Sequence, residues 1–189
     1  MSVRALLSFA GMQLGWFACV FGAVRGLSWF GPMVVSVGLL IHVRNQPGSA
    51  RAKEGLVLVL GGILGFVVDT ALLRAGVITI IGAAVSPPWL VALWLNLTAT
   101  TASGASLGSL SRRPILGALL GALAAPLSYD GGARLGAIGL ERSRAGALVA
   151  IAVVWSLAIP TLLWIRRRFG TPRGNEGGAE LGPGSGHAA

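Results

Sequence analysis

Apolar runs, separated by short basic or Pro- and Gly-containing stretches, dominate the first 168 residues. Six of them reach or approach the about 20 residues that a helix needs to cross a bilayer. They are Ala5 to Val24, Leu27 to Val43, Gly55 to Leu73, Trp89 to Leu110, Ile115 to Tyr129 and Ala145 to Ile165. The second and fifth are short, which calls for flanking residues or a locally thinned bilayer. A seventh stretch, "AGVITIIGAAVS" from 75 to 86, is too short to cross and is stopped by Pro87 and Pro88, so it reads as an interfacial or re-entrant connector. The pattern predicts an all-α polytopic membrane protein, a compact bundle of about six transmembrane helices over 1–168. The Gly-rich tail, 169–189, has no apolar period and is predicted to be disordered.

Composition names the solvent. Of the 189 residues 54% are hydrophobic and only 11% charged, where soluble domains carry about 25% charged residues. The net charge of +9 comes from 15 Lys and Arg against 6 Asp and Glu. These cations fall between apolar runs, so topology and anionic headgroups explain them and nucleic acid is not implied. With a cytoplasmic N-terminus, Arg4, Arg44, Arg51, Lys53, Arg112, Arg113, Arg166, Arg167, Arg168 and Arg173 lie inside. Arg25, Arg74, Arg134, Arg142 and Arg144 lie outside. The bias predicts both termini in the cytoplasm. Gln13 and Trp16 interrupt the first run, which reads as a retained span rather than a cleaved leader.

Few polar residues fall inside the runs, and Asp69 is the most conspicuous. It follows Gly65 by four and Gly61 by eight, on the small-residue face that packs against other helices. Arg74 is five positions on, outside the spacing at which helical side chains meet, so partners are expected from other spans. Asn96, Thr100, Ser103 and Gly104 make a polar stripe on the fourth run. Tyr129, Asp130 and Arg134 close the fifth. The expected polar cluster is Asp69, Asn96, Tyr129 and Arg134, with Asp130, Arg25 and Arg74 at its rim. It reads either as a functional site or as a network fixing helix register. Gln13 lies about 160° from the Gly11, Gly15, Cys19 and Gly22 face, as on a helix contacted from two sides. Gly61 and Gly65, Gly117 and Gly121, and four further i, i+4 glycine pairs predict close helix packing. Trp29, Trp89 and Trp164 read as interfacial anchors and Trp16, Trp94 and Trp155 as packing residues. Pro126 and Pro160 are expected to kink their spans.

No enzyme signature accompanies these residues. Cys19 is the only cysteine, and His42 and His187 have no neighbours at ligand spacing, so neither a metal nor a cofactor is expected. Nucleophile elbows, phosphate loops and dinucleotide turns are missing. A transporter or channel using the cluster is the alternative to a structural role. A lipid-modifying enzyme, with Asp69 as its acid or base, is a third.

The stretches "QLGWFACVFGAVRGLSWFGP", "GFVVDTALLRAGV", "PPWLVALWLNLTATT" and "GALAAPLSYDGGARLGAI" resemble, in order and spacing, a family of small bacterial inner-membrane proteins known as domain of unknown function twenty-eight seventy-eight. The likeness covers about residues 5 to 168. It implies a multi-pass protein of the cytoplasmic membrane with no activity, substrate or cofactor attached, and an accessory role in envelope lipid chemistry. The bilayer is the partner that the composition demands; a homo-oligomer or a membrane partner is left open.

Overall fold

The computed structural model describes residues 2–140 and 143–171. Six α-helices account for most of them: α1 (Val3–Val24), α2 (Phe30–Arg44), α3 (Gly48–Arg74), α4 (Pro88–Ala99), α5 (Pro114–Arg134) and α6 (Arg144–Phe169). Four of these, α1, α3, α5 and α6, are long and apolar enough to cross a membrane, while α2 and α4 are shorter apolar helices. The fifth, expected to stop at Tyr129, runs on to Arg134 and reaches 21 residues. Glu141, Arg142, Arg173, His187 and the expected disordered tail from 172 onward lie outside the described residues, while Phe169, assigned to that tail, is the last residue of α6.

Large apolar side chains such as Leu14, Trp29, Val37, Ile63, Leu127, Val153 and Leu157 are exposed along the helices. Hydrocarbon, not water, suits such a surface. Trp29 and Trp164 stand on it, whereas Trp89, expected at the interface, is buried in the core. It is the second residue of α4 and packs under the loops that close that end of the bundle.

The chain forms three helical hairpins, α1 with α2, α3 with α4, and α5 with α6. Each opening helix ends in the same cap. Gly26, Gly76 and Gly136 take φ of 72°, 59° and 86°, a left-handed conformation that glycine adopts without the Cβ penalty. The next amide, of Leu27, Val77 or Ala137, then donates back to the carbonyl of Gly22, Leu72 or Gly132. After the second and third caps come two-residue strands, β1 (Ile78–Thr79) and β2 (Gly139–Leu140), which pair antiparallel. The connector of residues 75–86 is therefore a turn and half of a ribbon.

No repeat stands out in the sequence, yet the last two hairpins match at a constant offset of 60 residues. Gly76 matches Gly136 in its cap, Thr79 matches and pairs with Gly139, and Asp69 matches and contacts Tyr129. Trp94 and Trp155, one residue out of that register, stack at 4.4 Å. α3 and α5 thus run parallel, as do α4 and α6, about a pseudo-two-fold along the bundle. The symmetry breaks in one place: α3 packs on α6, while α4 and α5 stand apart.

The fourth run is not one helix to Leu110. It ends at Ala99 because the hydroxyls of Thr98, Thr100 and Thr101 bond to the carbonyls of Trp94, Leu97 and Thr98, competing with the helical ladder. Turns follow, with Gly104 at φ 76°, then a short 3-10 helix, Gly108–Arg112. The alternating directions of the six helices leave the N-terminus, the break in α4 and the C-terminal end of α6 together at one end, the Arg-rich end, opposite the ribbon.

Candidate functional site

Two polar centres and one cleft sit inside this frame. The first centre is Asp69, fully buried in the ribbon half of α3. Gly65, one turn before it, lets the Trp94 indole lie directly against the α3 backbone where any Cβ would collide with it. From there Trp94 Nε1 donates to Asp69 Oδ2 at 2.9 Å. Tyr129 Oη donates to Oδ1. Trp155 stacks on Trp94 and meets Tyr129 edge to face, and its own Nε1 is buried without a partner. Among the described residues no cation pairs with Asp69; two neutral donors hold the carboxyl.

Of the other residues expected beside Asp69, the structure brings in Tyr129 and not Asn96, Asp130 or Arg134. Asn96 turns to α1, where its Nδ2 donates to the Met12 carbonyl at 3.1 Å and Gly15 makes room for it. Asp130 faces away and pairs with Arg134 at 2.8 Å and with Arg144. Arg25 lies over the Phe21 ring and Arg74 is exposed. Gln13 is on the outer side of α1, at the mouth of the cleft described below.

The second centre was not expected. Glu54 and Arg166, 3% and 8% exposed, form a two-pronged ion pair between α3 and α6 at the Arg-rich end. Arg166 also donates through Nε to Thr101 Oγ1 at 2.9 Å and through Nη2 to the Thr98 carbonyl at 3.1 Å. It thereby adds a charged donor at the carbonyl end of the interrupted α4. His42 Nε2 meets Glu54 Oε1 at 2.8 Å from α2. The pair lies about 22 Å from Asp69 at 1.5 Å per residue along α3. One signal was available: among the described residues Glu54 is the only acid at the end that carries most of the cations. No group of three or more His, Cys, Asp and Glu side chains comes together among the described residues.

The cleft fills the gap between α4 and α5. It has a volume of about 610 Å³, within the range of small-molecule pockets. Trp94, Trp155 and Ile159 form its back, Leu90, Leu93, Asn96 and Leu97 of α4 one wall, and Leu120 to Tyr129 of α5 the other. α1 covers part of the opening with Met12 and Trp16, and Trp16 Nε1 donates to Ser128 Oγ at 2.9 Å across it. The mouth lies sideways, among exposed Phe9, Gln13, Phe17 and Leu127. Tyr129 therefore shows one side to Asp69 and the other to the cleft.

An all-α bundle with spans of membrane length and a lateral cleft defines a class of small integral membrane proteins. Within that class the chain belongs to the family described as protein of unknown function (DUF2878), which matches residues 5–161. Neither the curated proteins nor the solved structures include a match to it.

Proposed function

We propose that the protein is an integral protein of the bacterial cytoplasmic membrane that holds one lipid-like apolar molecule in the cleft between α4 and α5, in an accessory role to envelope lipid chemistry. The observation that carries this reading is the cleft itself. It is lined almost wholly by carbon and opens sideways between α1 and α5 on the apolar surface, where acyl chains rather than water would reach it. The two polar centres support a frame around the cleft. Asp69 ties α3 to α4 and α5, and Arg166 ties α6 to α3 and to the end of α4. The Arg-rich end faces the cytoplasm in this reading, by the bias of the cations.

Mass spectrometry of lipids retained by protein purified in mild detergent tests it. A bound lipid is expected at near-equal molar ratio in the wild type and strongly reduced in Ala124→Trp, which fills the mouth from its exposed position on α5. Equal retention by both proteins would refute the cleft as the site. Comparison of the lipid profiles of a deletion strain and its parent then tests the link to envelope lipids.

A further inference from the structure

The polar groups of the cleft sit at the wrong depth for a phospholipid headgroup. Gln13 is midway along α1 and Asn96 is about 12 Å along α4 from its ribbon end, counted at 1.5 Å per residue. In a hydrocarbon layer about 30 Å thick both amides lie near mid-depth. Phosphate and ester groups sit in the surface layers and do not reach them.

These amides are also not fully used by the protein. Gln13 has no hydrogen-bond partner among the described residues, and Asn96 uses one amide hydrogen on the Met12 carbonyl, leaving its other hydrogen and its oxygen uncommitted. An amide facing hydrocarbon without a partner is unfavourable, and intramembrane polar side chains normally find one. The surrounding walls are flat and aromatic: Trp16, Phe17, Trp94, Tyr129 and Trp155 all border the same space. Such walls suit an unsaturated or ring-bearing segment better than a saturated chain.

We infer that the molecule in the cleft carries a hydrogen-bonding oxygen at membrane mid-depth, which accepts from the side-chain amide N–H of Gln13 at the mouth. This rests on the cleft reading above and narrows it to oxygen-bearing apolar molecules. Two sources share that chemistry, the ring of an isoprenoid quinone and an acyl chain oxidised near its middle.

The test uses the full chain in nanodiscs of saturated phosphatidylcholine, with tryptophan fluorescence as the readout, since Trp16, Trp94 and Trp155 line the cleft. The probes are decylubiquinone, 10-oxostearate and stearate; a probe counts as bound in the cleft only if Ala124→Trp abolishes its signal. At least one oxygen-bearing probe is expected to bind about tenfold more tightly than stearate, the scale of one or two hydrogen bonds. Whichever of the two binds more tightly identifies the source. Gln13→Leu, an exposed position where folding is not at stake, is expected to reduce the preference for the oxygen-bearing probe over stearate severalfold. Equal binding of all three probes in the cleft would overturn the mid-depth oxygen while leaving the cleft reading intact. Binding of none would overturn both.

Discussion

Removing Arg166 gives the sharpest test of how the bundle is held together. In Arg166→Leu the Glu54 carboxylate stays 3% exposed with only His42, itself neutral unless protonated, at 2.8 Å. The Thr101 hydroxyl loses the Arg166 donor as well, and the Thr98 carbonyl loses one of its three. Stranding one member of a buried pair costs about 3–5 kcal/mol. Glu54→Leu strands the guanidinium instead and is expected to cost a similar amount. If the two losses were independent, the double variant would lose about 6–10 kcal/mol. The structure predicts otherwise, because two leucines at these positions leave no buried charge, and apolar replacement of a whole pair is often neutral. What remains is the loss of the two bonds from Arg166 to Thr101 and Thr98, about 1–2 kcal/mol. Reversible unfolding in mixed micelles, followed by circular dichroism for the wild type, both single variants and the double variant, closes the cycle. A double variant as unstable as the sum of the singles would refute the argument that Glu54 and Arg166 act as one unit.

Three further outcomes follow from the same geometry. Asp69→Asn presents an amide N–H to one of two donors that now face carboxylate oxygens, and is expected to lower stability by about 1–3 kcal/mol in the same assay. Tyr129→Phe, which leaves one donor in place, should lose about 1 kcal/mol. Gly65→Ala drives a Cβ into the Trp94 indole and should destabilise by about 1–3 kcal/mol, whereas Gly11→Ala, with open space around it, should be neutral or stabilising by up to about 1 kcal/mol, as thermal unfolding of the purified proteins will register. Cys19 is fully buried and need not be removed for labelling, so Ser143→Cys is expected to react with an impermeant maleimide in whole cells and Ser49→Cys only after lysis; the reverse pattern would invert the proposed orientation.

Asp69 was the most legible residue of the chain. Its spacing from Gly61 and Gly65 aimed it inward, and the side chains that fill the room made by those glycines, Thr98 and Trp94, come from α4. Trp94 was readable only as packing, because nothing in a linear sequence shows which way an indole nitrogen points. The Asn96 stripe failed for a definite reason. It assumed one helical phase as far as Gly104, and three threonine hydroxyls end that helix at Ala99. Glu54 and Arg166 were hidden by their positions near helix ends, where charges normally report topology. Six i, i+4 glycine pairs looked equivalent in the sequence, yet only some serve close helix packing. Gly61 with Gly65 and Gly117 with Gly121 admit a neighbouring helix, Gly26 and Gly136 turn caps, and Gly11 faces open space. The repeat escaped notice because it preserves caps and contacts but few residue identities, among them Arg74, Gly76 and Ile78 with Arg134, Gly136 and Ile138.

That repeat bears on why the middle of the molecule is asymmetric. A position on a two-fold axis meets its own counterpart, so in a pair of identical hairpins the residue at 69 would face a copy of itself. Two carboxylates there would repel, and two phenols would leave no strong acceptor. With both hairpins on one chain, the two positions are free to diverge, and here one is the acceptor Asp69 and the other the donor Tyr129. The same freedom lets α4 stop short and stand away from α5 while α3 and α6 stay in contact. A symmetric dimer would have to open two such clefts or none; a tandem chain keeps one.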